Sequence, residues 1–461
     1  MKTKFTKTSI IWIALSVLTL NLSSCKDELP PSNNEELPDV TEKPSSVIEE
    51  GTTGSLLWKL TTNGMLTISG NGIMPDYIHT SSIVTIPWYS HRNIIRTVVI
   101  GDSITNIGSY AFYKCQYLKS ITIPDGITSI GASAFVDCSE LTNITIPNSV
   151  EVIGREAFVR CLGLTSINIS NGVTAIEVGV FYDCRNLTSI TIPNRVTSIG
   201  EAAFSGCAGL TSITIPDNVI NIGYSAFAGC SGLTSITIPN GVKSISLAFI
   251  NCKNLTNIEV VEGNLNYSSE DGVLFNKAKS DVVICPIGKE GIYNIPNSVT
   301  SIGYGAFQGC SNLTKITIPN IVTSIGYGAF QDCSNLTEVT IPNSVTSIGY
   351  GAFSGCRSLT SIAIPSGLKY IEGWTFGYCG GLTSITLPEN LTNIAQGAFA
   401  YCRELTEIIV KATTPPRVYS FSDSFYAVDH TIPVYVPQES LELYRNADGW
   451  KEFTNLQGKV F

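Results

Sequence analysis

The sequence predicts a repeat solenoid, a single core that grows along one axis and carries a cap at each end. Three observations predict it. Cysteines recur every 23 residues, at 115, 138, 161, 184, 207 and 230 and again at 310, 333, 356, 379 and 402, with Cys252 one residue short of the period. Self-similarity at such a period is the signature of stacked units that cannot bury their apolar faces alone. An Ile-Thr-Ile alternation closed by proline sits at a fixed distance before most of these cysteines, as a short strand with a built-in stop would. Only 14 % of the 461 residues are charged while 43 % are hydrophobic, which excludes a disordered chain or a long coiled coil.

The elements follow in chain order. Lys2, Lys4 and Lys7 precede an apolar run from Ile10 to Leu20, too short to span a bilayer and suited to the h-region of a secretory signal. Leu22-Ser23-Ser24-Cys25 resembles the lipobox of bacterial lipoproteins. That resemblance implies removal of residues 1–24 and acylation of Cys25, so that the chain meets a membrane through a lipid anchor only. An ordinary signal peptide with an incidental cysteine is the other reading. Lys26-Asp27-Glu28 resembles the export signal that sends lipoproteins of Bacteroides-type bacteria to the outer face of the outer membrane. Residues 26–50 hold eight acids against two lysines, with several prolines, so 25–50 read as an extended acidic tether.

The repeat unit is plain from Leu187 to Gly209 and from Leu336 to Ser358: Leu-Thr-x-Ile/Val-Thr-Ile-Pro-Asn-x-Val-Thr-Ser-Ile-Gly-x-x-Ala-Phe-x-x-Cys-x-x, and Phe-x-x-Cys occurs twelve times. Proline ends most of these strands because it cannot donate to a ladder, and Pro-Asp-Gly (124–126) or Pro-Asn-Gly (239–241) supplies the turn. Stacked at about 4.8 Å, twelve coils make a parallel sheet roughly 60 Å long.

This unit resembles the BspA-like class of leucine-rich repeats found in bacterial surface antigens. The resemblance covers 95–410. Residues 51–94, with Asn63-Gly64 as a hairpin turn and Pro87-Trp88-Tyr89, are similar to the β-rich N-terminal cap of those proteins. Residues 411–461 read as a small α+β closing cap, with a strand from Pro433 to Pro437, a helix from Glu439 to Ala447, then Trp450 and Phe453. Between 261 and 295 the period fails. The expectation there is an irregular double coil with a bulging loop around 264–280, either a purely structural bend or a contact loop.

Several residue sets are candidate sites. If the coils stack in register, twelve cysteines form a column whose parallel side chains do not converge as a disulfide or a tetrahedral zinc site requires, so they read as buried free thiols; Cys285 falls outside the Phe-x-x-Cys slot. Outward strand positions form a ladder of hydroxyls, including Thr191, Thr214 and Thr237, either a neutral binding face or threonine suiting an exposed strand. Tyr304, Tyr327 and Tyr350 recur just after the repeat glycine, with Tyr224 equivalent on the other side of the irregular segment and Trp374 displaced by one. Such a row could grip a protein or the faces of sugar rings, or serve as a stabilising aromatic ladder. Asp102-Ser103-Ile104 resembles the O-glycosylation sequon of Bacteroides-type bacteria, which implies modification at Ser103.

Function classes narrow accordingly. A net charge of −9 leaves no basic patch for nucleic acid, and three histidines with no catalytic, metal or phosphate-loop motif leave no expected catalytic residue, metal or cofactor. The chain reads as a monomeric, non-enzymatic surface lipoprotein facing the cell exterior. The family resemblance implies an adhesin for host extracellular matrix proteins, such as fibronectin and fibrinogen, or for other cells. Glycan capture by the tyrosine row is the alternative.

Overall fold

The computed structural model describes residues 45–142, 144–419 and 424–461. Cys25, Lys26, Asp27 and Glu28 lie outside the described residues. No helix among them is long and apolar enough to cross a membrane.

The N-terminal cap is a meander of β1 (Val47–Thr53), β2 (Leu56–Thr61) and β3 (Met65–Ser69), with Gly64 at φ 82° in the turn between β2 and β3. β1 begins inside the span that composition assigns to the tether. β1, β2 and β3 pair antiparallel, and β3 then pairs parallel with β4 (Thr97–Ile100), which starts the solenoid ladder. Trp88, fully buried, closes the first coil by donating its indole N–H to the Ala111 carbonyl at 2.7 Å.

Each coil has three sides. The first is the Ser-Ile-Thr strand, as where Ser189–Thr191 pairs in register with Ser166–Asn168. The second is a two-residue strand, as where Ser198–Ile199 lies between Ala175–Ile176 and Asn221–Ile222. The third is the Ala-Phe-x-x-Cys turn, and it too is a ladder: Phe135 N–H donates to Ala157 O and Phe204 N–H to Ala226 O, at 2.8 and 2.7 Å. Threonines beside the strands tie coil to coil, as Thr188 Oγ1 does to Thr165 O at 3.0 Å.

The third side depends on two left-handed residues per coil, one before the alanine and one before the cysteine. Tyr110 and Lys114, Ser133 and Asp137, and Glu156 and Arg160 all have φ between 54° and 61°. In the next coil Gly179 takes the first slot at φ 63°. A side chain in this region costs roughly 1–2 kcal/mol, partly offset by the greater unfolded freedom of glycine. Glu156 is exposed and φ there is 59°, so Glu156→Gly is expected to stabilise the fold by about 0.5–1 kcal/mol. A urea midpoint below that of the parent chain would contradict this.

Two expectations need correction. The first-side sheet is not continuous. Ser212 to Thr214 form no strand, Ile213 is only partly buried, and Thr145 makes an isolated bridge to Asn168. Three-residue strands supply few ladder bonds, so these coils are held by the other two sides; the second ladder runs unbroken from Ala175 to Ile245.

The 261–295 segment is likewise not a bulging loop. It forms an antiparallel meander of Tyr267–Glu270, Val273–Asn276 and Asp281–Ile284, turned at Asp271 and Gly272 with φ 50° and 74°. Asn264 is fully buried and pins it: its amide donates to Pro239 O at 2.7 Å and Val242 O at 3.2 Å, and its Oδ1 accepts from the Asn266 and Tyr267 amides. The second ladder ends at Ile245; the last strand of the meander starts it afresh by pairing Val282 with Ile302, and Gly291–Asn294 restarts the first. The meander also divides the core into two clusters, with Leu274 in the first and Val273 and Phe275 in the second.

At the C-terminal end, Val434–Pro437 and Leu456–Lys459 extend the parallel sheet from Glu407–Val410. Between them lie a 3-10 turn, Gln438–Ser440, and the helix Leu441–Asn446. Tyr444 donates to Ala412 O at 2.7 Å and the Trp450 indole to Pro416 O at 2.8 Å, so buried aromatic residues anchor this cap as Trp88 anchors the other.

Candidate binding surfaces

Three sets of outward side chains could meet a partner. On the first side, Thr191, Thr214 and Thr237 are exposed, and no described residue takes up their hydroxyls. They therefore differ from threonines such as Thr188, which staple coils. The face they share is neutral and interrupted at Thr214, where the strand pairing lapses.

The tyrosines emerge just after the second side, where the chain turns into the Ala-Phe-x-x-Cys segment. Tyr304, Tyr327 and Tyr350 are 55 %, 46 % and 42 % exposed and stack in sequence, with ring centroids 5.3 and 5.2 Å apart. Burial and then the neighbouring Tyr327 push the Tyr350 phenol above its usual range. Stacking along the axis turns ring against ring, so this row presents phenol tips and ring edges more than open faces. Tyr224 is exposed too, but the adjacent coils carry Glu201 and Ser246 at the equivalent position, and no described ring stacks on it. The structure thus joins three of the four predicted tyrosines and leaves the fourth apart.

The row also continues beyond them. Trp374 stacks on Tyr378 at 5.6 Å, Tyr378 on Tyr401 at 4.5 Å, and Tyr426 meets Tyr401 edge-on. Tyr378 and Tyr401 each directly precede a repeat cysteine, a spacing that sequence reading passes over. Ser103 is exposed in a turn, its carbonyl taken by the Gly72 amide at 3.0 Å. Among the described residues, no group of three or more His, Cys, Asp or Glu gathers where it could hold a metal ion.

The family model for the BspA type leucine-rich repeat region, six copies long, matches residues 76–187, 174–286 and 292–406. The chain belongs to that family. Its BspA-type region therefore includes most of the irregular meander. No curated protein matches significantly. Among solved structures, a leucine-rich cell surface protein from Faecalibacterium prausnitzii is 32 % identical, with 78 % of this chain and 94 % of that one covered at a TM-score of 0.55. The pneumococcal vaccine antigen PcpA (21 % identity, 90 % and 99 % covered, TM-score 0.58) and a leucine-rich repeat protein from Bacteroides ovatus (23 %, 89 % and 100 %, TM-score 0.50) share the fold.

In this BspA-type solenoid the cysteine is an internal fastener. The described cysteines are buried and free. Cys138, Cys161 and Cys184 donate their thiols to the carbonyls of Phe112, Phe135 and Phe158 at 3.2, 3.2 and 3.0 Å, each one coil back. Cys285 joins the column by another route. Its amide donates to Ala306 O in the slot a repeat phenylalanine fills elsewhere, and Cys310 Sγ lies 3.7 Å from Cys285 O.

Proposed function

We propose that the chain is a lipid-anchored protein of the outer cell surface whose solenoid holds macromolecular partners, acting as an adhesin for extracellular matrix proteins or other cells. The observation that carries this reading is the outer face of the first side, where Thr191, Thr214 and Thr237 are exposed and no described residue takes up their hydroxyls. The face is neutral from Ser166 to Thr237, with Glu259 and the Lys315–Glu338 pair beyond it, and a run of repeated hydroxyls suits an extended partner, because weak contacts add along it by multivalency. The leader, Cys25 and Lys26-Asp27-Glu28 support the anchor and its outward orientation. Three acyl chains, at about 0.8 kcal/mol per buried CH₂, hold a protein where one chain would be marginal. The acidic tether then serves as a spacer, Ser103 as a glycan attachment point, and the body as a single-chain binding scaffold without catalysis. The 32 % identical Faecalibacterium relative is itself described as a cell surface protein, which favours the same placement.

Bacteria producing the full chain are expected to retain fibronectin, fibrinogen or partner cells, and protease added to intact cells should remove both the chain and the retention. A chain that resists protease until the outer membrane is broken would refute the placement. Surface-exposed chain that retains no protein or cell would refute the adhesin.

A further inference from the structure

The aromatic strip changes position at one step, and the step forms a groove. In the coil around Tyr350, the two left-handed slots hold Gly351 and Gly355; in the next coil the same slots hold Trp374 and Tyr378. The added rings therefore stand beside a coil whose two equivalent slots carry no side chain. One side of the Trp374 indole lies on Gly397, where a Cβ would come within 2.6 to 3.0 Å of three ring atoms. The indole also lines a groove of about 260 Å³, together with Tyr327, Gln331, Tyr350, Ser354 and Tyr378. A Cβ on Gly351 would meet only the Ser354 Cβ, at 3.9 Å, so the floor is open.

The chemistry of this lining selects among partners. It holds no Lys, Arg, Asp or Glu, so neither a phosphate nor a charged peptide finds a complementary charge. It does hold aromatic surface, a carboxamide and several hydroxyls, and no described residue takes up the side-chain polar atoms of Gln331, Ser354, Tyr350 or Tyr378. An apolar ring face beside unengaged neutral donors and acceptors matches a sugar ring, which offers C–H groups on its face and hydroxyls at its rim. The volume lies just under the roughly 300 Å³ at which sites enclosing a whole small ligand begin, so the groove suits one ring of a longer chain. We infer that the groove at Trp374 binds a neutral polysaccharide, one sugar stacking on the indole and its neighbours continuing past the tyrosine row. This site is separate from the strand face on which the adhesin reading rests.

The test is affinity electrophoresis of the full chain through gels containing neutral polysaccharides: an α-glucan, a β-glucan, a galactomannan and a xylan. At least one gel should retard the chain. Trp374→Ala, and separately Ser354→Arg, which fills the groove without removing a ring, should each weaken that binding about tenfold or more. Tyr224→Ala and Thr214→Ala should leave it unchanged, and melting curves confirm that all four variants are folded. Retardation by no polysaccharide would overturn the inference, as would retardation that survives both groove variants. Binding of a matrix protein, and of no glycan, that Trp374→Ala abolishes would overturn it by giving the groove to a protein. A parent chain that binds a glycan at the groove but retains no matrix protein or cell would overturn only the adhesin reading.

Discussion

Raising the pH from 9 to 11 is expected to unfold the solenoid, with stability falling by at least about 5 kcal/mol per pH unit. Burial pushes the thiols of Cys115, Cys184, Cys252 and Cys379 from the ordinary 9.0 up to about 12, and drives Cys138, Cys161 and Cys207 further in the same direction. Neighbouring thiols add to the effect at Cys138 and Cys207, since a thiolate there would face others along the column. The sign follows from linkage. Below 9 both folded and unfolded thiols keep their protons, and the stabilisation is fully present. Between 9 and about 12 the unfolded chain releases protons that the folded chain holds, so stability falls as pH rises, by about 1.4 kcal/mol per unit for each thiol. The four thiols raised to about 12 alone give about 5 kcal/mol per unit, the other three add to that loss, and a typical stability of about 5–15 kcal/mol is exhausted by about pH 11. Tyr77, pushed up to about 12 mainly by burial, acts in the same direction. Far-UV circular dichroism melts from pH 8 to 12 in the presence of reductant measure this. A melting temperature at pH 11 within a few degrees of that at pH 8 would show that the column is not buried as described.

What could be read from sequence follows from how the information is stored. A period repeated twelve times names the strand, the turn and the inward residues, because every copy must satisfy the same stacking. The left-handed slots are harder to see, since Tyr110, Glu156 and Arg160 occupy positions where glycine sits in other coils, and the backbone imposes the conformation whatever the side chain. The meander carried its own signal in Asp271-Gly272, a hairpin dipeptide between Ser-Ser-Glu and Val-Leu-Phe, but reading the segment as a failed repeat hid it. The buried role of Asn264 left no such trace, because a polar residue in an irregular stretch reads as loop. Spacing showed the tyrosine row. The groove beside it depends on a difference between neighbours, with Gly351 and Gly355 against Trp374 and Tyr378, and aligning the units treats such differences as drift.

Phe204→Ala is expected to cost near the upper end of the 3–5 kcal/mol typical of a buried phenylalanine. Phe204 is fully buried between Phe181 and Phe227, with ring centroids at 5.5 and 5.4 Å and planes within 12° and 5°. In an ordinary core, neighbours recover part of such a loss by moving into the space. Here they are held apart. The backbone ladder fixes the coil spacing, with Phe181 N–H bonded to Ala203 O at 2.8 Å and Phe204 N–H to Ala226 O at 2.7 Å, and Cys230 Sγ is tied to Phe204 O at 3.1 Å. The cavity therefore stays open, and both faces of the ring stack are lost. Since each coil contacts only its neighbours, the damage also falls on two interfaces and lets the coils on either side unfold separately. Urea unfolding should show a lowered midpoint and a broadened or split transition. Tyr327→Ala, which removes a half-exposed ring from the outer row, should cost less than about 1 kcal/mol and keep a single transition. Equal losses for the two variants would mean that the inner phenylalanine column does not carry the stacking of the coils.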